Sequence, residues 1–197
     1  FRASGRHETR PAQRAAEYSN ALFAANYLPT EQRASYANLA RGYAALYADV
    51  TPLASRADAV RGHDRIRIGY ISPDFRQHAV ASFVSPLLKG FDGDHFSVYC
   101  YALGRQDAVT KRLRTGPVCW RDLRGRSPRT AARLIAEDHI DILVDLSGHS
   151  QGNALPILAH RPAPVQVSGI GYTNTTGLSV IDYFLSDETC LPTGDSA

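Results

Sequence analysis

The chain has 197 residues, 44% hydrophobic and 21% charged, with a net charge of +3. These are the size and balance of one soluble globular domain of ordinary size with a helical lead-in. No apolar run reaches membrane-spanning length and nothing at the start reads as a signal peptide. Cys100, Cys119 and Cys190 are odd in number and far apart, which argues against a disulfide framework or a zinc site. Cys100 and Cys119 lie in strand-like apolar runs and are expected to be buried free thiols. That fits a reducing compartment, and a cytoplasmic location is expected.

From Pro11 an Ala-rich segment reads as a helix to residue 28, and Pro29-Thr30 restarts it, with Thr30 suited to an N-cap. Tyr36, Leu39, Tyr43, Leu46 and Tyr47 recur at three- and four-residue steps, an apolar stripe that reads as packing on a second helix. A charged linker follows at 51–64. Strands are then expected at 66–72, 96–103, 118–123, 140–146, 165–172 and 183–186. Helices are expected at 79–91, 109–114, 128–139 and 153–160, with Pro128 suited to a first helical turn. Near-continuous apolar strands separated by helices imply an α/β fold, a mostly parallel sheet covered on both faces. The expected division is a helical lead-in and linker over 1–63 and an α/β unit over 64–197.

Three loops follow the carboxyl ends of the first, fourth and fifth of these major strands: 73–78, 147–152 and 173–177. In a parallel sheet they open on one edge, where open α/β folds bind ligands. Asp74, His78, His149, Thr173 and Asn174 are therefore candidates to converge. His78 precedes or opens a helix, whose dipole favours a neutral imidazole able to take a proton, and Asp74 is placed to orient it or to bind a hydroxyl. The bland reading, a turn cap and an exposed loop histidine, stays open on spacing alone. For His149 a turn histidine packed on the next helix is the simpler reading. Gly169, Gly171 and Gly177 allow backbone to approach a ligand or simply end a strand. No dinucleotide fingerprint and no P-loop occurs. Asp92-Gly93-Asp94 precedes a strand, on the opposite edge, and reads as a tight turn; no metal site is expected. The arginines between Arg105 and Arg133 are interrupted by acids and lack interleaved aromatics, so a solvated face is expected and nucleic acid is not an expected partner.

The blocks IRIGYISPDFRQHAVASFV, FSVYCYAL, IDILVDLSGHS, RPAPVQVSGIGYTNTTGL and IDYFLSDE, in this order and spacing, closely resemble the catalytic region of the protein O-GlcNAc transferase family, in its SPINDLY-like branch. The resemblance implies that 64–197 is the Rossmann-like N-terminal half of a two-domain GT-B glycosyltransferase. The nucleotide would be held mainly by a C-terminal half absent here, and tetratricopeptide repeats commonly lie upstream. With no Met and Phe1 first, the chain is expected to be a piece of something longer. Carried over by motif, His78 matches the His closing the S-D-F-x-x-H block, Asp74 matches that block's Asp, and Gly171, Tyr172, Thr173 and Asn174 match a loop lining the sugar pocket. Thr173 departs from the Pro usual in the family, and Val80 from a Thr of the animal enzymes.

The implied activity is inverting transfer of N-acetylglucosamine from UDP-GlcNAc to Ser or Thr of polypeptide acceptors, with no metal and no cofactor beyond the sugar nucleotide. His78 and Asp74 would be catalytic, with His149 and Gly171 to Asn174 binding substrate. The alternatives are fucose transfer from GDP-fucose, and a non-catalytic half-domain that binds a partner or nucleic acid. No membrane association is expected.

Overall fold

The computed structural model describes residues 11–29, 33–54, 62 and 64–189. Two helices come first, α1 (Pro11–Ala25) and α2 (Arg33–Ala44), the second running into a 3-10 turn at Ala45–Tyr47. An alternating series follows: β1 (Ile66–Ser72), α3 (Ala79–Lys89), β2 (Phe96–Ala102), α4 (Ala108–Arg114), β3 (Cys119–Asp122), α5 (Pro128–Glu137), β4 (Ile142–Asp145), α6 (Leu155–Leu158), β5 (Val165–Gly169) and β6 (Tyr183–Leu185). Thr30, Cys190 and much of the expected linker lie outside the described residues.

All strand pairs are parallel, in the order β3-β2-β1-β4-β5-β6. The chain winds outward from β1 to β3, then crosses back and winds the other way from β4. This is the Rossmann-like arrangement, and its switch point lies between β1 and β4, where carboxyl ends diverge and leave a crevice. Register places Ile71 beside Asp145 and Asp145 beside Ser168, so the loops after β1, β4 and β5 leave the sheet at neighbouring positions on one edge.

Side-chain alternation along the strands divides the core into two layers. Val84 and Leu88 of α3 and Leu113 of α4 pack on Val98, Cys100 and Val144 on one face. Ala131, Ala132 and Ile135 of α5 and Ile157 and Leu158 of α6 pack on Ile71, Tyr101 and Leu143 on the other. A third cluster joins Leu22 of α1 and Tyr36 and Tyr43 of α2 to Leu155, Ala159 and Leu178. The helical lead-in thus docks on the α6 side of the sheet, and the tyrosine stripe does pack.

Three expectations need correcting. Cys119 is exposed, because β3 is the edge strand and only Trp120 of it is even half-covered; Cys100, in β2, is buried. The expected helix at 153–160 shrinks to one turn: Asn153 Oδ1 accepts from Leu155 N–H in the turn leading to the N-cap Ala154, and Pro162 follows closely. β5 ends at Gly169 rather than 172. Ile170 has φ +68°, and Gly171 N–H donates to Gly169 O at 2.8 Å, so the chain turns out of the sheet there. A left-handed β-branched residue costs on the order of 1–3 kcal/mol and persists only where its surroundings over-determine it.

Candidate active site

The loop after β1 is held from both sides. Asp74 N–H donates to Ser72 Oγ at 2.9 Å, and Phe75 is buried against Trp120, ring centroids 5.4 Å apart. Asp107, the N-cap of α4, accepts from Gln77 N–H at 2.7 Å, and Thr110 Oγ1 donates to Phe75 O at 2.6 Å. The capping box of α4 therefore also fixes the loop that carries the candidate residues. Asp74 is only 5% exposed, and its Oδ1 accepts from Arg76 Nη2 at 2.9 Å.

His78 is the N-cap of α3, with extended backbone (φ −159°), and its side chain is 41% exposed. Its Nδ1 accepts from Val80 N–H at 3.3 Å and lies 3.9 Å from Asp74 Oδ2. A nitrogen that accepts a backbone N–H cannot carry the ring proton, so the neutral ring has its hydrogen on Nε2. In this state His78 offers substrate a hydrogen-bond donor rather than a lone pair.

The loop after β4 is organised by Asp145, which is fully buried. It accepts from Ser147 N–H (3.1 Å), Ser147 Oγ (2.7 Å), Gly148 N–H (2.8 Å) and Ser168 Oγ (2.9 Å). Burial pushes its carboxyl pKa up, and the four donors oppose that shift. His149 is 1% exposed, with both nitrogens engaged. Thr176 O can only accept, so Nε2 donates to it at 2.9 Å and Nδ1 accepts from Ser19 Oγ at 3.0 Å. Tyr43 and Tyr172 meet the ring edge-on. Burial lowers its pKa to about 4, the Thr176 bond acting against that shift, so the ring is neutral at pH 7. The structure places His149 in packing, joining α1 to the loop after β5, and away from any surface where substrate could touch it.

Glycine is required where these loops meet. A Cβ on Gly171 would lie 1.9 Å from Leu146 O and 3.0 Å from Val80 Cγ2, so the β5 loop rests directly on the β4 loop and on the first turn of α3. Gly148 has φ +49°, and a Cβ there would meet the Tyr172 side chain at 2.3 Å. Tyr172 is itself 5% exposed. Tyr36 Oη donates to Thr175 O (2.7 Å), which leaves Tyr172 Oη donating to Tyr36 (2.9 Å) and accepting from Asn26 Nδ2 (3.0 Å). Asn174 Nδ2 donates to Asn26 Oδ1 at 3.0 Å.

His78, Gly171, Thr173 and Asn174 thus reach the open edge at the switch point, with Asp74 just beneath it, while Tyr172 and His149 form the support. Sequence reasoning missed Ser19 and Asn26 and read Tyr36 only as packing: Ser19 of α1 bonds His149, while Asn26, just past α1, and Tyr36 of α2 hold the β5 loop, and nothing in helical spacing marks them as reaching loops 130 or more residues away. It also passed over Arg161 and Asp182. Arg161 Nη2 donates to both Asp182 carboxylate oxygens (2.9 and 2.8 Å) and to Pro164 O (2.7 Å), and Asp182 Oδ2 also accepts from Gln166 N–H. This pair ties the start of β5 to the segment entering β6.

Asp92 and Asp94 precede β2, on the opposite edge, where Asp92 accepts from Asp94 N–H and pairs with His95. Among the described residues no three His, Cys, Asp or Glu side chains gather at metal-binding distance, and no helix is long and apolar enough to cross a membrane. Within the arginine-rich stretch, Arg121 pairs with Asp138 and Arg124 with Asp122.

The sequence profile of glycosyl transferase family 41 matches residues 36–196. The chain is 38% identical over 180 residues to the probable UDP-N-acetylglucosamine--peptide N-acetylglucosaminyltransferase SPINDLY of Arabidopsis thaliana, covering 88% of this chain and 20% of that protein. It is 35% identical over 138 residues to the UDP-N-acetylglucosamine--peptide N-acetylglucosaminyltransferase of Caenorhabditis elegans, covering 68% of this chain and 12% of that one. A solved structure of the Thermobaculum terrenum O-GlcNAc transferase, in its K341M mutant, superposes with a TM-score of 0.80 at 38% identity, over 88% of this chain and 34% of that one. The chain spans about a fifth or less of these curated relatives. With the profile covering most of the sequence, a shared fold and a substantial identity, the chain belongs to glycosyl transferase family 41.

Proposed function

We propose that this chain forms the acceptor side of an inverting protein O-N-acetylglucosaminyltransferase, and that UDP is held mainly by a second Rossmann-like half. The supporting observation is the meeting of the His78 and Gly171–Asn174 loops on one rigid edge at the switch point. The names of the relatives favour N-acetylglucosamine over fucose as the transferred sugar.

In the reaction an acceptor Ser or Thr oxygen attacks the anomeric carbon directly. The new O–C bond forms as the bond from that carbon to the UDP oxygen breaks, and the hydroxyl proton passes to solvent water. No metal takes part in this reading. Thr173 and Asn174 position the sugar, since Tyr172 is buried beneath them and Gly171 N–H is already spent on Gly169 O. Thr173 brings a backbone N–H and an exposed hydroxyl, both of which the Pro usual in the family lacks. His78, capped at Nδ1, orients a substrate oxygen through Nε2–H. For it to act as a base instead, Nδ1 must take the proton and close the 3.9 Å gap to Asp74 Oδ2 to about 2.8 Å, abandoning the helix cap.

The full-length protein, given UDP-GlcNAc or GDP-fucose with a Ser/Thr peptide, is expected to transfer only from the first; transfer solely from GDP-fucose overturns the donor assignment. His78→Ala is expected to raise the acceptor KM and to leave kcat within a few-fold. A fall in kcat of about 10²-fold or more would make His78 the base, and an unchanged kcat/KM would remove it from the site.

A further inference from the structure

A second surface opens beside His78. Between α3 and α4 runs a groove of about 590 Å³. His78, Ala81, Ser82, Ser85 and Lys89 form one face of α3 at helical spacing, and Val109 and Arg112 face them from α4. Three cations line it, Arg76, Lys89 and Arg112, and no carboxylate does. Arg76 is tied to Asp74, while Lys89 and Arg112 make no ion pair among the described residues. Asp107 at its mouth has its oxygens turned to backbone N–H groups.

We infer that the α3–α4 groove holds an acidic flank of the acceptor polypeptide, on the far side of His78 from the sugar. The inference rests on the transferase reading above. From His78 to Lys89 is eleven residues of helix, about 16 Å. An extended peptide covers that in about five residues. A hydroxyl residue held at His78 therefore brings an Asp or Glu four or five positions away to Lys89, and one two or three positions away to Arg112. The aliphatic floor (Ala81, Val109) offers no ring for a base to stack on, and a space of this size admits a peptide strand but no duplex.

The test uses the full-length protein and fluorescent peptides carrying one Ser, with Asp or Asn placed two to five positions away on either side. Wild type is expected to prefer the Asp peptides about fivefold in kcat/KM, through KM, as two exposed charge pairs allow. K89E/R112E should erase or invert that preference and leave turnover of a neutral peptide unchanged. Equal use of Asp and Asn peptides by wild type, or a preference that survives K89E/R112E, overturns the inference. So does a rise in the UDP-GlcNAc KM in place of the acceptor KM. If no peptide is glycosylated, the activity reading has failed, and anisotropy with the same peptides decides the groove. Tighter binding of the Asp peptides that K89E/R112E abolishes upholds it, and indifference to either change overturns it. An oligonucleotide that binds the groove more tightly than the Asp peptides at 150 mM salt, roughly physiological ionic strength, overturns it too.

Discussion

Replacing His149 by Gln separates its titration from its packing. In the native chain the ring is neutral and buried, with a pKa near 4, against 6.5 for a free histidine. Between those values the unfolded chain binds a proton that the native state refuses, so stability falls as pH falls. The loss by pH 4 is about 3 kcal/mol, at about 1.4 kcal/mol per pH unit. A Gln side chain can keep the donor to Thr176 O but loses the ring contacts with Tyr43 and Tyr172. His149→Gln should therefore start about 1–2 kcal/mol less stable at pH 7. It lacks the titration, so the gap should close by about 3 kcal/mol and reach zero or reverse near pH 4. Urea unfolding at pH 7 and pH 4 measures both proteins. Carboxylates and His160, whose pKa burial also lowers, titrate in each and cancel in the difference. A gap that stays constant within about 0.5 kcal/mol, well below that expected change, would refute the buried, doubly bonded state.

Gly171→Ala forces a methyl into Leu146 O and should cost about 2–4 kcal/mol in urea unfolding; a loss under about 1 kcal/mol would mean the loops do not touch. Asp182→Asn leaves the buried Arg161 guanidinium without its counter-charge and should cost about 3 kcal/mol, read the same way, where a neutral result would show the pair to be solvated. In the native protein Cys119 should react with a thiol reagent in minutes while Cys100, its pKa pushed up by burial, stays protected; peptide mass spectrometry would contradict this if both label together.

The strand–helix alternation was legible because the inner strands β1, β2, β4 and β5 are covered on two faces and read as apolar runs, and β1 spans the residues expected of it. Parallel pairing then places β1, β4 and β5 as neighbours, which brings the three candidate loops to one edge. What periodicity could not show is which loop residues face out. His149 and Thr173 are alike as polar loop residues after a strand, yet one is buried and the other exposed. The difference lies in the helical lead-in, where Ser19 of α1, Asn26 just past it and Tyr36 of α2 reach over the sheet edge. The tyrosine stripe was readable as packing, but the Tyr36 hydroxyl is also a partner of the β5 loop. Cys119 was misread for a similar reason: an apolar run does not say whether its strand is central or at the edge.

His78 shows the limit more sharply, because the resemblance points to the residue and leaves its chemistry open. Its role depends on which nitrogen carries the proton, and that is set by Val80 N–H, one of the donors every helix leaves unpaired in its first turn. The backbone of α3 thus competes with Asp74 for the same Nδ1. While the helix wins, Nε2–H can hold a substrate oxygen in place but cannot take its proton. A substrate that drew Asp74 closer, or released it from Arg76, would tip the competition toward the dyad and turn an orienting group into a base. On the proposed reading, whether His78 orients a substrate oxygen or takes its proton therefore turns on a hydrogen bond in the helix cap as much as on the side chains that face the substrate.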